Sequence, residues 1–158
     1  MNGSFYDLKE ALPKAEYMAY ESNKENKNLE DSYYSQLGLT TVKMISATSK
    51  SGKRSVNVCL AEDNTLENCV KINIKNLKKA YNYYSRKAIR HCNNHLEYRY
   101  KNNKYYDKLS YRERAIYRVL MDLIDKNYFV SVFGNRTTQG DGTYFGFPYD
   151  VPYMTIVW

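Results

Sequence analysis

Apolar and polar positions change their spacing along this chain, and the changes divide it into four segments. Residues 1–37 follow a period near 3.6. Phe5, Leu8 and Leu12 put a short helix at Met1–Leu12, and Pro13 opens a second helix with Ala15, Met18 and Tyr17 toward the core. Glu21–Asn28 holds no apolar residue and reads as a mobile loop or an exposed helical segment. Leu29–Leu37 is helical again, with Gly38 as its C-terminal stop.

From residue 40 to 74 the spacing becomes two, which predicts an antiparallel β-meander with one wet face. Its strands are Thr41–Thr48 (Val42, Met44), Ser55–Ala61 (Val56, Val58, Leu60) and Cys69–Ile74 (Val70, Ile72, Ile74). Residues 75–127 return to the helical period. Lys75–Cys92 buries Leu77, Ala80, Tyr81, Tyr84 and Ala88, and presents Lys75, Lys79, Asn82, Arg86, Arg90 and Asn93 on the opposite side. A second helix runs to Lys126, capped by Ser110 or Asp107. It buries Leu109, Ile116, Leu120, Leu123 and Ile124, with Arg114, Arg118, Asp122 and Asp125 pointing away and Arg118 within reach of Asp122. Residues 128–158 are strands: Tyr128–Phe133, buried on both faces, then Tyr144–Phe147 and Tyr153–Trp158, separated by Pro148 and Pro152. The glycine-rich stretch Gly134–Thr143 is a loop. The expected fold is a single α+β domain, an antiparallel sheet with helices packed on one face.

Composition sharpens this picture in one respect. Leu, Ile, Val and Phe make up only 33 of 158 residues, while tyrosine alone supplies 18, so the core must be rich in tyrosine with hydroxyls at its edge. The chain holds neither an 18-residue apolar run nor a secretion signal at its start, and three scattered cysteines make no disulfide framework. A cytoplasmic protein is expected.

Charge changes the picture more. Residues 71–118 carry 14 Lys+Arg against 3 Asp+Glu, a net of +11, whereas residues 1–70 and 119–158 are each −2. Nine tyrosines lie between residues 81 and 117. Guanidinium forks grip phosphate or carboxylate, and tyrosine rings stack on bases or fill pockets in a protein partner. The candidate partner-binding residues are Lys79, Arg86, Arg90, Arg99, Arg114 and Arg118, with Tyr111 and with Tyr144 and Tyr149 of the C-terminal segment. The alternative for the same block is a solvated helical face.

Catalytic and metal chemistry find little support. His91 and His95 could share a metal at helical spacing, but the chain has no other histidine, so packing against the sheet is the simpler role. Gly134–Thr143 lacks the pattern of a phosphate loop. Glu113 falls near the buried stripe of its helix and is expected in a structural ion pair with an Arg or Tyr. No metal site, cofactor or catalytic residue is assigned, and a metal-independent RNase is the residual enzymatic reading.

The chain is short and rich in Lys, Asn and Tyr (16 Asn), and it carries the segments KAYNYYSRKAIR and YRERAIYRVLMDLIDKNYFVSVF. In that character it resembles small single-domain proteins of phages and mobile elements, and among them anti-CRISPR proteins that block type II (Cas9) nucleases. The resemblance implies a non-enzymatic inhibitor without cofactor, acting inside the bacterial host cell on a Cas9-type nuclease or its guide RNA. DNA-mimicking inhibitors are acidic and this chain is basic, so its target would be an acidic protein surface or the RNA itself. Direct binding to DNA or RNA as a regulatory protein is the alternative.

Overall fold

A computed structural model of the protein describes the backbone of residues 7–61, 69, 71–90, 103–138 and 145–158, and the side chains of these except 87–90, 136–138 and 145–149. The elements are α1 (Leu8–Ala11), α2 (Ala15–Lys50), β1 (Ser55–Cys59), α3 (Ile74–Arg90), a 3-10 turn (Tyr106–Lys108), α4 (Tyr111–Asp125), β2 (Phe129–Thr138) and β3 (Phe145–Val157). They form an α+β domain in which a three-stranded antiparallel sheet, in the order β1-β3-β2, packs its inner face on the helices.

The 36-residue helix α2 replaces two expected features, the stop at Gly38 and the first meander strand at Thr41–Thr48, and of the two readings of 21–28 it takes the exposed helical segment. Its inward stripe is Glu30, Tyr33, Leu37 and Thr41, followed by half-buried Met44, Ile45 and Thr48. That spacing is helical. It escaped the pattern because a threonine fills one core position while Leu39 and Val42 face solvent. Thr41 Oγ1 donates to the Leu37 carbonyl at 2.7 Å, so the hydroxyl is satisfied within the helix. Nothing lies within 4 Å of where a Gly38 Cβ would sit, and the helix passes through it.

The meander shrinks to one strand. In β1, Val58 is buried and Val56 half-buried, with Leu60 buried just past the end, as the alternation predicts. The expected strand at Cys69–Ile74 is instead the approach to α3: the Ile72 amide turns back onto the Cys69 carbonyl, and the Asn73 side chain accepts the Asn76 amide at 3.0 Å.

The C-terminal prolines do not end β3, but its pairing with β2 shifts register between Asn135↔Val151 and Thr137↔Gly146, so Pro148 lies in that irregularity and only Pro152 lies within the regular ladder. Pro152 pairs with Gly134 on β2, while on the other side its carbonyl accepts the Leu60 amide just beyond the end of β1. A strand residue directs its N–H and C=O to the same side, so the donor that Pro152 lacks faces the frayed end of β1 and costs no β2–β3 bond. The inner sheet face holds Val58, Met154 and Val132 in one cross-strand row and Val56, Ile156 and Val130 in the next. The outer face is wet. Phe129 is 77% exposed and Phe133 stacks on Tyr153 at 5.7 Å, so β2 is buried on one face and not on two.

Tyrosines fill the core and anchor its rim, as the composition requires. Tyr33, Tyr81, Tyr84 and Tyr117 are buried. The Tyr33 hydroxyl donates to the Leu60 carbonyl and the Tyr84 hydroxyl to Asp125 at 2.5 Å. The Tyr81 hydroxyl accepts the Val132 amide at 3.4 Å, so α3 covers part of the outer edge of β2, which would otherwise offer free backbone donors. Buried Asn103 donates to the Ala80 carbonyl at 2.9 Å and to the Tyr117 hydroxyl at 3.0 Å. Together these bonds fix α3 against α4 and the sheet. Among the described residues no helix is long and apolar enough to cross a membrane.

Candidate functional site

Helix α3 is strongly amphipathic. Leu77, Ala80, Tyr81 and Tyr84 pack inward, which turns Lys75, Lys78, Lys79, Asn82 and Arg86 to the outside. At 100° per residue these five occupy one stripe about 100° wide, and at 1.5 Å per residue they span about 16 Å. The stripe forms one wall of a groove of about 620 Å3, closed by Tyr105, Gly134 and Asp150. Lys75, Lys78, Lys79 and Arg86 make no ion pair among the described residues. Arg86 only returns its Nε–H to the Asn82 carbonyl of its own helix, at 3.3 Å. Tyr105 stands on the rim, edge-on to Tyr83 at 6.0 Å, with the Lys104 ammonium 5.1 Å from its ring centre.

The groove exists because three chain segments meet tightly. A Cβ on Gly134 would lie 2.8 Å from Asp150 Cβ and 3.2 Å from Ile74 Cδ1. Glycine therefore lets β2, β3 and the start of α3 converge, which places the Asp150 carboxylate opposite the lysines.

A second cluster surrounds the start of α4. The Arg112 guanidinium lies 4.6 Å over Tyr111 and that of Arg114 lies 4.8 Å over Tyr106, whose ring tilts against buried Tyr117 at 5.6 Å. Cation–π stacking of this kind holds a guanidinium flat against the surface. The Arg114 Nε is buried and takes no hydrogen bond among the described residues.

Arg118 behaves differently. Instead of pointing outward beside Asp122, it faces α2, 2.9 Å from Glu30, 2.7 Å from Asp31 and 4.0 Å over the Tyr34 ring. Asp122 accepts the Tyr34 hydroxyl. Burial works against the charge on Arg118, but its bonds to Asp31 and Glu30 win and raise its pKa. The Arg118 hydrogen bond likewise holds the Asp31 carboxyl below its usual range. Lys27 joins the network at 3.1 Å from Glu30 and 3.2 Å from Asp31, and the two bonds outweigh its desolvation to raise its pKa. Acids from the N-terminal helix thus neutralise one of the expected docking residues.

Of the sequence-selected residues, the structure brings Lys79 and Arg86 into the α3 groove, puts Tyr111 and Arg114 in the stacked cluster, and turns Arg118 inward. Arg99 and Tyr144 lie outside the described residues, as do His91, Cys92, His95 and the 139–143 part of the glycine-rich loop; the side chains of Arg90 and Tyr149 do too. Lys78, Tyr105, Gly134 and Asp150 went unselected. Lys78 borders the same stripe and was legible from helical spacing, whereas Asp150 and Gly134 reach the groove only through the sheet register. Glu113 does have a structural role, but with backbone partners: it closes a capping box with Ser110 and accepts the Asn73 amide at 2.6 Å. Among the described residues no three His, Cys, Asp or Glu side chains gather to hold a metal ion. Comparison with protein-family models, curated proteins and solved structures returns no match.

Proposed function

We propose that the protein is a non-enzymatic binding protein that holds the phosphate backbone of a nucleic acid along α3. The observation that carries this reading is the stripe Lys75, Lys78, Lys79 and Arg86, which makes no ion pair among the described residues and lines one groove with the Tyr105 ring, four cations against the single Asp150 carboxylate. Cations held about 5–6 Å apart along a helix repel one another, and a polyanion relieves that repulsion while releasing its own counterions. The resemblance to Cas9 inhibitors supplies a setting. The guide RNA of a Cas9-type nuclease offers such a backbone, and occupying it would block the effector without any chemistry by the inhibitor.

The stacked pairs Arg112–Tyr111 and Arg114–Tyr106 favour a second reading, an inhibitor docking on an acidic protein face of the nuclease. Arginine and tyrosine held flat and half-buried are the side chains that dominate protein interfaces. Capture of a Cas9-type effector with and without guide RNA separates the two. RNA-dependent capture, or binding to free RNA or DNA, supports the α3 reading. Capture of the RNA-free effector alone supports the second. Absence of binding to every one of these targets ends both.

A further inference from the structure

Only the second half of α2 is packed against the domain. From Ala15 to Leu29 every residue is exposed except half-buried Glu21, so roughly 22 Å of helix stands clear of the body. An isolated helix of that length is marginal in water. It also carries large apolar side chains into solvent: Tyr17 is 58% exposed and Tyr20 62%. The packed half has matching exposure, with Leu39 at 57% and Val42 at 62%. These two border a groove of about 1020 Å3 whose other wall includes Val119, Leu123, Tyr128 and Trp158.

Tyr17, Tyr20, Lys24, Asp31, Leu39 and Val42 share one face of α2, within about 100° of arc at helical spacing. Along that face the order is apolar, polar, apolar, and the apolar positions are symmetric about the Leu29–Glu30 peptide. We propose that two copies of the chain pair α2 against α2, antiparallel, about a two-fold axis at that peptide. Tyr17 then lies opposite Val42 of the partner and Tyr20 opposite the partner's Leu39, so each projecting arm fills the other copy's groove.

Three observations select a second copy in this orientation. Charge is the first: antiparallel pairing brings Lys24 within about one turn of the partner's Asp31, whose carboxylate stays half-exposed beside its bonds to Arg118 and Lys27, whereas parallel pairing in register sets Lys24 on Lys24. Shape is the second. Between its apolar ends the face carries exposed Ser35 and half-buried Gly38, whose Cβ position has nothing within 4 Å, so a second helix can approach closely there. Area is the third. With the axis at that peptide residues 15–44 of the two helices overlap over about 45 Å, and a face about 10 Å wide covers roughly 450 Å2 per copy, so the helices alone bury about 900 Å2, close to the roughly 1,000 Å2 that a specific interface needs before the groove walls add to it. The contact is isologous and closes at two copies.

Sedimentation equilibrium of the full chain tests this. The expected mass is twice 18.6 kDa, falling to 18.6 kDa for Leu39→Glu combined with Val42→Asp, with helical content retained because both sites are exposed. Oxidation of a mixture of Tyr20→Cys and Leu39→Cys chains should cross-link them to each other, above the background of the parent chain, while neither variant cross-links alone. A monomeric parent up to about 100 µM, a dimer indifferent to the double substitution, or self-cross-linking of Tyr20→Cys each overturns the proposal.

Discussion

The guanidinium of Arg118 on α4 stands 2.9 Å from the carboxylate of Glu30 on α2, whose side chain is otherwise buried. This pair fixes the lateral position of α2 against α4, with Tyr34 beneath the guanidinium and Asp31 and Lys27 completing the network. Arg118→Met removes the charge and keeps the stem. Glu30 then retains only Lys27, and a loss of about 2–3 kcal/mol is expected, below the full cost of stranding a buried ion because one partner survives. Urea unfolding followed by circular dichroism measures it. A loss under about 0.5 kcal/mol would mean that the network is solvated and structurally idle.

Acid should weaken the same joint. The folded protein holds Asp31 below its usual pKa, so its contribution is present above the unfolded value near 3.9 and is lost as pH falls through the folded one. The urea midpoint is expected to drop as pH falls below about 4, and Asp31→Asn should flatten that drop. An identical acid limb in the variant would show that other carboxylates govern it.

Gly134 is constrained by space and not by backbone conformation. Its Cβ position lies 2.8 Å from Asp150 Cβ and 3.2 Å from Ile74 Cδ1. Gly134→Ala must push β3 and the start of α3 away from β2, at a cost of about 1–3 kcal/mol. The melting temperature should fall by several degrees, and any binding that depends on the α3 groove should weaken with it. A variant as stable as the parent would show that the groove wall yields freely.

Legibility in the sequence followed the physics of each element. Helices α3 and α4 were readable because their apolar stripes are dense and Ser110 was one of two candidate caps; the part Glu113 plays in that cap was not read. The chain was read as α+β on the same grounds, and β1 on its Val56, Val58, Leu60 alternation. Helix α2 was misread at 41–48 because exposed Val42 and half-buried Met44, two residues apart, imitate a strand, and its core position 41 is a threonine. Sheet order was illegible for a different reason. β1 pairs with β3 across nearly a hundred residues, and no local spacing encodes that register. The site was half-readable: α3 alone arranges its lysines and Arg86, but the fate of Arg118 depends on acids 88 residues away.

The central claim is that the α3 groove binds nucleic-acid phosphate. Its most direct measurement is the affinity for a labelled RNA or DNA of about 30 nucleotides as salt rises from about 50 to 200 mM. Four contacts from Lys75, Lys78, Lys79 and Arg86 predict a log–log slope of about −3 on single strands and about −4 on duplex, and replacing the three lysines by glutamine should reduce it to about −1. No binding at 50 mM salt, or a slope unchanged by the triple substitution, would contradict the claim.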